Sequence, residues 1–452
     1  MFKIKINTFF SIITSKIIIK LSNRLFKGGT NFPGRIALRM DKHVLSTITK
    51  DYKIILITGT NGKTTTTNMI YSMIKDSGKD VITNSTGANL RPGITACFIK
   101  YFSFKNKSTD KYAVIEVDEA NLKLITEYVS PRAIVVTNLF RDQLDRYGEV
   151  YTTLNKILEG LEKVPDAELI LNGDESLLGD LAIPNKKIYY GFNYALDNNT
   201  QISINADAKF CKKCKHPYKY DYITYNHLGK FYCEQCGYKR PELDFYIDDV
   251  KELSPSGSLV NINGYEYYIN QPGIYNIYNG LCAYSVAKTL DIGNSYIFNS
   301  LKSQKSSFGR QEAITINNKE IKIILVKNPA GYDQAINTIT LDKRDLNLAV
   351  LLNDNYADGR DVSWIWDVNF ESLSTLSIKK VMVSGIRLYD MAVRLKVAGI
   401  ENDKFLMAED YEQLLKDIEN CEGEIVYVLA TYTAMIDFRK FLHSKGLIKK
   451  LW

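Results

Sequence analysis

Three stretches of this chain hold residues whose types and spacing can do chemistry. Between Ile54 and Asn68, IILITGTNGKTTTTN, a turn carrying Gly59, Asn61 and Gly62 is followed by Lys63, Thr64 and Thr65. Glycines leave backbone N–H groups pointing into such a turn, the lysine ammonium reaches the β- and γ-phosphates of a nucleotide, and the first hydroxyl can sit on Mg²⁺. Farther on, Cys211-x2-Cys214 and Cys233-x2-Cys236 are separated by 18 residues, a spacing that suits four thiolates on one tetrahedral Zn²⁺. The third stretch, Asn353 to Asp367, crowds four Asp, two Asn, a Gly and two Trp together. Tryptophans beside aspartates mark a surface that meets something.

A phosphate turn works between a strand and a helix, and both are written around this one. Ile54 to Ile57 read as a buried strand, while Met69, Ile70, Met73 and Ile74 recur at helical spacing before Gly78. The pattern G-x-x-x-x-G-K-[ST] is met except at its first glycine, which falls on Ile57. Strand-like runs at 81–83, 112–117, 133–137, 169–171 and 187–190 alternate with helical stretches such as 119–128 and 149–163. This is the rhythm of a parallel sheet covered on both faces. Such sheets bind ligands at the C-terminal edges of their strands. Glu116, Asp118 and Glu119 stand at one such edge, where a carboxylate can hold Mg²⁺, and Thr137 to Arg146 stand at the next.

The cysteine pairs interrupt that rhythm, and a hairpin over 259–269 with an Asn263-Gly264 turn resumes it. From about residue 320 a second βαβ series begins, with strands expected at 321–326, 346–352, 379–384 and 425–429. The expected architecture is therefore α/β. A lead-in over 1–50 precedes a parallel-sheet P-loop domain over 51–315, a zinc-ribbon insert occupies 207–243, and a Rossmann-like domain spans 320–452.

Composition sets the limits. A chain of 452 residues is too long for one core. Its net charge of +7 is mild at this length and does not argue for nucleic acid. Seven cysteines, four of them in C-x-x-C pairs, favour a reducing compartment. The expected location is the cytoplasm. Cys97, Cys282 and Cys421 sit in apolar company, where packing is the ordinary role.

The first 26 residues mix Ile and Phe with Lys3, Lys5, Lys16, Lys20 and Arg24. Their longest uncharged run is too short for a membrane span, and no small-residue cleavage site follows. Two readings stay open: a basic amphipathic helix at the inner face of a membrane, or a helix packed on its own domain.

The form TGTNGKT resembles the loop of the Mur ligase and folylpolyglutamate synthetase superfamily, whose members make amide bonds through acyl phosphates. Further segments are similar to others of that superfamily, in order. Glu116-Val117 resembles E-V-S-S, Thr137 to Asp145 resembles T-N-x-x-x-D-H-L-D, and Leu171 to Glu175 resembles L-N-x-D-D. Gly273 to Ala283 resembles G-x-H-N-x-x-N-x-x-A-A, and Gly309 to Glu312 resembles G-R-x-E. The resemblance implies that Glu116 binds Mg²⁺ with Thr64, that Asn276 faces the adenine, and that Arg310 lies near the phosphates of ATP. Two positions depart from it: Gln143 and Tyr275 replace histidines.

A Cys₄ ribbon inside such a domain, N-P-A-G at 328–331 and N-D-N-x-A-D-G-R-D-x-S-W-I from Asn353 occur together in the MurT family, the synthetase subunits of lipid II isoglutaminyl synthase. That resemblance covers nearly all of the chain after residue 28. It implies that ATP phosphorylates the α-carboxylate of D-glutamate in the stem peptide of lipid II at the membrane surface, and that ammonia displaces the phosphate to give D-isoglutamine. Cys97, Cys282 and Cys421 lack the tight glycine-flanked turn of a glutaminase nucleophile. The implied ammonia source is a class I glutamine amidotransferase subunit in a heterodimer, with Asp361 completing its Cys-His triad. Catalytic residues are then Lys63, Glu116 and Asp361.

Two other classes stand beside this. A stand-alone amino-acid ligase of the superfamily would keep the histidine that Gln143 replaces. A zinc-ribbon nucleic-acid binder would use Lys212, Lys213 and Lys215; the expectation is no nucleic acid.

Overall fold

The phosphate turn closes the strand β1 (Tyr52–Thr58), which lies between β4 (Ala133–Val136) and β3 (Lys111–Glu116). The computed structural model describes residues 5–25, 31–84, 88–104, 110–141, 150–197, 199–201, 208–304 and 310–448. On the far side of β3 is β2 (Asp80–Thr83). Beyond β4 come β5 (Glu168–Asn172), β6 (Lys187–Phe192), β9 (Phe245–Leu253), β10 (Ser258–Ile262) and β11 (Tyr265–Ile269), making nine strands in all. Pairing is parallel from β2 to β9 and antiparallel across β9, β10 and β11. The last hairpin turns on Asn263 (φ 47°) and Gly264 (φ 79°), the left-handed pair that the sequence calls for.

β1 is apolar throughout its buried part because both its faces are covered. Ile55 and Ile57 pack with α4 (Lys63–Asp76), α8 (Ile274–Thr289) and α9 (Asn294–Ser303). Ile54 and Leu56 pack on the opposite layer. That layer comprises α1 (Ile6–Leu25), α2 (Asn31–Met40), α3 (Val44–Ile48), α5 (Arg91–Tyr101), α6 (Leu122–Thr126) and α7 (Val150–Leu161). Of the two readings of the N-terminal segment, packing on its own domain therefore describes one side of α1.

The second sheet has the order β12-β13-β17-β14-β15-β16. Its strands are β12 (Arg310–Ile316), β13 (Lys319–Leu325), β14 (Leu346–Leu351), β15 (Ile378–Ser384), β16 (Phe405–Met407) and β17 (Ile425–Ala430). They are parallel except for β12 against β13. Leu348 and Val350 face α10 (Pro329–Ile339) and α11 (Leu388–Val397), whereas Ala349 and Leu351 face α12 (Tyr411–Asn420) and α13 (Tyr432–Ser444). One expectation is corrected: the P-loop domain is expected to run to residue 315, but residues 310–315 pair with β13. A short turn at Asn317 and Asn318, both at positive φ, folds them back as an edge strand of the second sheet. The side chain of Arg310 lies outside the described residues, as does Gln143.

The insert between β6 and β9 carries a small sheet, β7 (Lys219–Tyr225) with β8 (Leu228–Tyr232).

Candidate active site

The phosphate turn is fixed from behind by the next strand end. Asn61 N–H donates to Asn138 Oδ1 (2.9 Å), Asn138 Nδ2 donates to Asn61 O (3.1 Å), and Thr137 Oγ1 donates to the same carbonyl (2.7 Å). Gly59 and Gly62 sit at φ 119° and 83°. A Cβ at Gly59 would lie 2.4 Å from Thr137 Oγ1, and one at Gly62 would lie 2.1 Å from Asn279 Oδ1. The glycines are thus required by conformation and by space. Ile57, where the general pattern has a glycine, is an interior residue of β1 paired with Val135 and Glu116, so no turn is made there.

Gly62 has no side chain to cap α4, which leaves the first amides of that helix, at Lys63, Thr64 and Thr65, as an anion site. Lys63 Nζ is held over the loop by Thr60 O (3.2 Å), by Gly59 O and by Glu119 Oε1 (2.7 Å), an ion pair whose carboxylate is buried and whose lysine is partly exposed. Thr64 Oγ1 donates to Glu116 Oε2 (2.8 Å). Asn89 Nδ2 donates to Glu116 Oε1 (3.2 Å), while Asn84 accepts from Glu116 N–H (2.9 Å) and donates to its carbonyl (2.8 Å). The sequence-derived set Gly59, Asn61, Gly62, Lys63, Thr64, Thr65 and Glu116 is therefore one constellation at one strand edge. Glu119 was visible as a strand-end carboxylate but not as the partner of Lys63. Asn84 and Asn89 carry no local signal; only the fold brings them to Glu116.

Opposite the loop, the second domain supplies α10. Asn328 caps it, accepting from Gly331 N–H (2.8 Å), and its amide also reaches Asn61 Oδ1 (3.5 Å). That gives N-P-A-G a physical meaning: a capped helix with Pro in its first turn, set against the phosphate turn. The cleft between the domains is lined by Asn61, Gly62, Asn276, Asn279, Lys327 and Gln334, among others. Asn276 has both amide atoms engaged, donating to Pro272 O (2.8 Å) and accepting from Asn279 Nδ2 (3.1 Å). The buried amide nitrogens of Asn61 and Gln334 have no hydrogen-bond partner among the described residues. Donors left in this state fit a polar ligand such as a nucleotide.

The aspartate-rich loop is pinned at both ends. Asp358 accepts from Thr433 N–H (2.7 Å) and from its hydroxyl, capping α13, and Asn353 and Asn355 donate to the same hydroxyl (3.0 and 2.9 Å). Asp361 is exposed and accepts from Ser363 N–H (2.8 Å); hydrogen bonds from Ser363 hold its carboxyl below the ordinary carboxylate range. The two tryptophans divide. Trp364 is buried against Tyr332, while Trp366 is half exposed with Arg394 over its ring.

In the insert, the Sγ atoms of Cys211, Cys214, Cys233 and Cys236 lie within 4.8 Å of one another. One tetrahedral cation with metal–sulfur bonds of about 2.3 Å spans such a set. The two knuckles repeat one turn. Cys211 and Cys233 each donate N–H five residues ahead, to His216 O and Tyr238 O (2.7 Å in both), around Lys215 (φ 65°) and Gly237 (φ 72°).

The insert is welded to the sheet. Arg240 meets Asp174 (3.1 Å), Tyr238 OH donates to Ser176 O (2.6 Å), and His227 Nε2 pairs with Glu175 Oε2 (2.8 Å) in full burial. Glu175 also accepts from Leu139 N–H (3.2 Å), one residue beyond the clamp on Asn61. Tyr225 OH crosses to Ala330 O in α10 (2.9 Å). Lys212 points inward to Leu177 O (3.2 Å) and Gly179 O, and Lys213 pairs with Asp180. Two of the three lysines a nucleic-acid reading names, Lys212 and Lys213, thus have partners within the chain.

Burial pushes the thiols of Cys97 and Cys282 up to about 12 and raises that of Cys421. None has the environment of a thiolate nucleophile.

A strand–turn–helix phosphate site, a carboxylate on its threonine and a second α/β domain across the cleft define a Mur-type ligase. The family profile described as "Mur ligase middle domain" matches residues 57–234, and that described as "MurT ligase C-terminal" matches 325–435. The pseudomurein peptide ligase type C from Methanothermus fervidus has the same fold, with a TM-score of 0.66 at 21% identity over 90% of this chain and 81% of its own. Two curated relatives are each named lipid II isoglutaminyl synthase (glutamine-hydrolyzing) subunit MurT. The one from Streptococcus pneumoniae is 42% identical over 95% of both chains, and the one from Staphylococcus aureus strain N315 is 36% identical over 90% of this chain and 91% of its own. The chain belongs to the MurT family.

Proposed function

We propose that this chain is the synthetase subunit of a glutamine-dependent amidating enzyme, converting the α-carboxylate of D-glutamate in the lipid II stem peptide to the carboxamide at the expense of ATP. The observation that carries this is the Lys63–Glu119, Thr64–Glu116 constellation facing a family-specific second domain. A carboxylate does not react with ammonia until its oxygen becomes a leaving group. The substrate carboxylate attacks the γ-phosphorus of ATP and ADP departs. Ammonia then adds to the acyl carbon, and phosphate leaves with the oxygen it gained while the nitrogen gives up a proton.

The chain's residues position these charges. The first amides of α4 hold the phosphates, Lys63 leaves Glu119 for the transferring phosphoryl group, and Asn276 and Gln334 meet the base side of the nucleotide. Thr64 and Glu116 would hold Mg²⁺, which neutralises phosphate charge when bound. The four cysteines would hold Zn²⁺ as a structural ion. Arg310, at the start of β12, is proposed to reach the phosphates.

Ammonia requires a partner glutaminase, because the thiols of Cys97, Cys282 and Cys421 are raised by burial and unactivated. Asp361, exposed on a pinned loop, suits the orienting carboxylate of that partner's Cys-His pair. Ile386, Tyr389, Val393 and Val397 form an exposed apolar face on and just before α11. Ile386 N–H donates to Asn353 Oδ1 (2.9 Å), which ties that face to the Asp361 loop.

The test is amidation of lipid II by purified chain with ATP, supplied with ammonia or with glutamine, with and without a co-expressed class I amidotransferase. Amidation from ammonia alone, and from glutamine only with the partner, is expected. ATP-dependent joining of an amino acid without a partner would favour the stand-alone ligase reading instead.

A further inference from the structure

Helix α1 packs inside out. The side against α2 and α5 carries Thr8, Ser11 and Ser15 with Ile12. Ser11 Oγ donates to Ala37 O (2.9 Å), Ser15 Oγ donates to Pro33 O (3.0 Å), and the Thr8 hydroxyl donates to Asp41. The opposite side carries Ile6, Phe10, Ile13, Ile17 and Leu21, spaced four, three, four and four apart, which is one stripe of a helix. Ile6 is 74% exposed, Phe10 55%, Ile17 53% and Leu21 50%. Phe9 flanks the stripe and meets Phe104 at 5.2 Å, carrying the apolar surface onto the segment after α5. A continuous apolar stripe from Ile6 to Leu21, roughly 22 Å along a helix of 20 residues, is not the scattered exposure of an ordinary surface.

Charge states what covers it. Lys27, Arg35 and Arg39 join the five cations of the first 26 residues, and no Asp or Glu precedes Asp41. Residues 1–40 thus carry +8 while the whole chain carries +7, which leaves −1 for residues 41–452. Lys5 and Lys20 are exposed beside the stripe, and Arg35 and Arg39 are exposed on α2 with Phe32. No helix among the described residues is long and apolar enough to cross a membrane.

We propose that α1 lies flat on a bilayer of anionic phospholipid, its isoleucine and phenylalanine stripe among the acyl chains and its cations at the headgroups. The helix serves two surfaces at once: small polar side chains allow close packing on the domain, and the apolar side chains are left for the lipid. The layer is tied to the phosphate site. Gly34 of α2 lies against the Pro92 carbonyl at the start of α5, where a Cβ would come within 1.8 Å of it, and Asn89 just ahead of α5 holds Glu116. Binding to the bilayer stands on the geometry alone; its use, holding the site beside a lipid-linked substrate, rests on the amidation reading.

The full chain with its partner subunit is sedimented with vesicles of phosphatidylglycerol and phosphatidylcholine, and separately with phosphatidylcholine alone. Binding to the anionic vesicles is expected, falling at least tenfold on neutral vesicles and at least tenfold in F10D/I17D, which leaves the packed side of α1 untouched. K5E/K20E, which alters only exposed charges, is expected to weaken binding to anionic vesicles several-fold with an unchanged melting temperature. Wild-type protein that stays in the supernatant with anionic vesicles overturns the proposal, as does F10D/I17D binding like wild type. A change from a larger to a smaller assembly in F10D/I17D, with no vesicle binding by wild type, also overturns it by assigning the stripe to a protein contact. Vesicle binding without amidation of lipid II would defeat the functional reading and leave the docking surface standing.

Discussion

Lys63 has a carboxylate partner at the neighbouring strand end, Glu119, and also donates to the Gly59 and Thr60 carbonyls of the loop, so its ammonium is already placed where a phosphate will stand. Replacing it with Ala removes charge that matters most as the phosphoryl group transfers. Amidation from ammonia is expected to fall by about 10³-fold or more, with the fold and the melting temperature kept. Glu116→Gln keeps a hydrogen-bond acceptor for Thr64 but loses the charge that holds a cation, and a drop of roughly 10²-fold, with a raised Mg²⁺ requirement, is expected. In the proposed reaction, Asp361 is the residue that would separate the glutamine and ammonia routes. Asp361→Asn is expected to lose about 10²-fold or more of glutamine-supported amidation, and to keep ammonia-supported amidation within about twofold. Full glutamine-supported activity in that variant would remove Asp361 from the triad.

At the scale of elements, the ribbon and α10 are where the two domains are fastened. The apolar cluster of the insert is five aromatic or aliphatic side chains, Tyr218, Tyr220, Ile223, Phe231 and Tyr238, around the cysteines. A core that small does not fold unaided. Chelation, or Cys233→Ser, is expected to release zinc and lower the melting temperature, and to disturb the nucleotide site through His227, Glu175 and Leu139. Unchanged nucleotide affinity in the metal-free protein would break that link.

α10 carries a pH signature. Asp333 accepts from Asn369 N–H (2.8 Å), yet burial, opposed by that hydrogen bond, pushes its carboxyl from 3.8 up to about 6. The folded state then binds the proton more tightly than the unfolded state, so this stability is complete below about pH 4 and lost as pH rises through about 6. Asp333→Asn keeps the acceptor and removes the charge. It is expected to stabilise the protein at pH 8 by on the order of 1–2 kcal/mol and by clearly less at pH 5. An equal gain at both pH values, read from denaturant melts, would contradict this origin.

Across the whole molecule, what was legible in the sequence is what spacing and local chemistry decide. The phosphate turn, the βαβ alternation of both sheets, the Asn263-Gly264 hairpin and the four cysteines are all short-range signals, and each lands where spacing put it. What was not legible is pairing at a distance. Residues 310–316 have no feature that assigns them to one sheet or the other, and Asn84, Asn89 and Gln334 are ordinary amides until the fold aims them. Helix α1 misleads by hydropathy alone, since Ile6 and Ile17 are exposed while Ile12 is buried. Ser11 and Ser15 face inward because their hydroxyls can be satisfied by the Ala37 and Pro33 carbonyls of a closely packed neighbour.

The outward face of α11, on the second sheet, raises the same question. Tyr389, Val393 and Val397 are exposed on a helix whose other face, with Leu388, Met391 and Leu395, is fully used by the core. Its first residues are tied to the Asp361 loop by the Arg387–Asp354 ion pair (3.1 Å). A partner that uses Asp361 must sit across this loop, and this face is an exposed apolar surface tied to it. Charges there should therefore cost association and leave the synthetase intact. V393E/V397E is expected to weaken binding of the glutaminase subunit by about tenfold or more in titration calorimetry, since interface cores tolerate unpaired charge poorly. Glutamine-supported amidation at dilute subunit concentration should fall in proportion, while ammonia-supported amidation stays within about twofold. Undiminished heterodimer formation by this variant would place the partner on another face, and Asp361 could then reach the partner's histidine only from a different side of its loop.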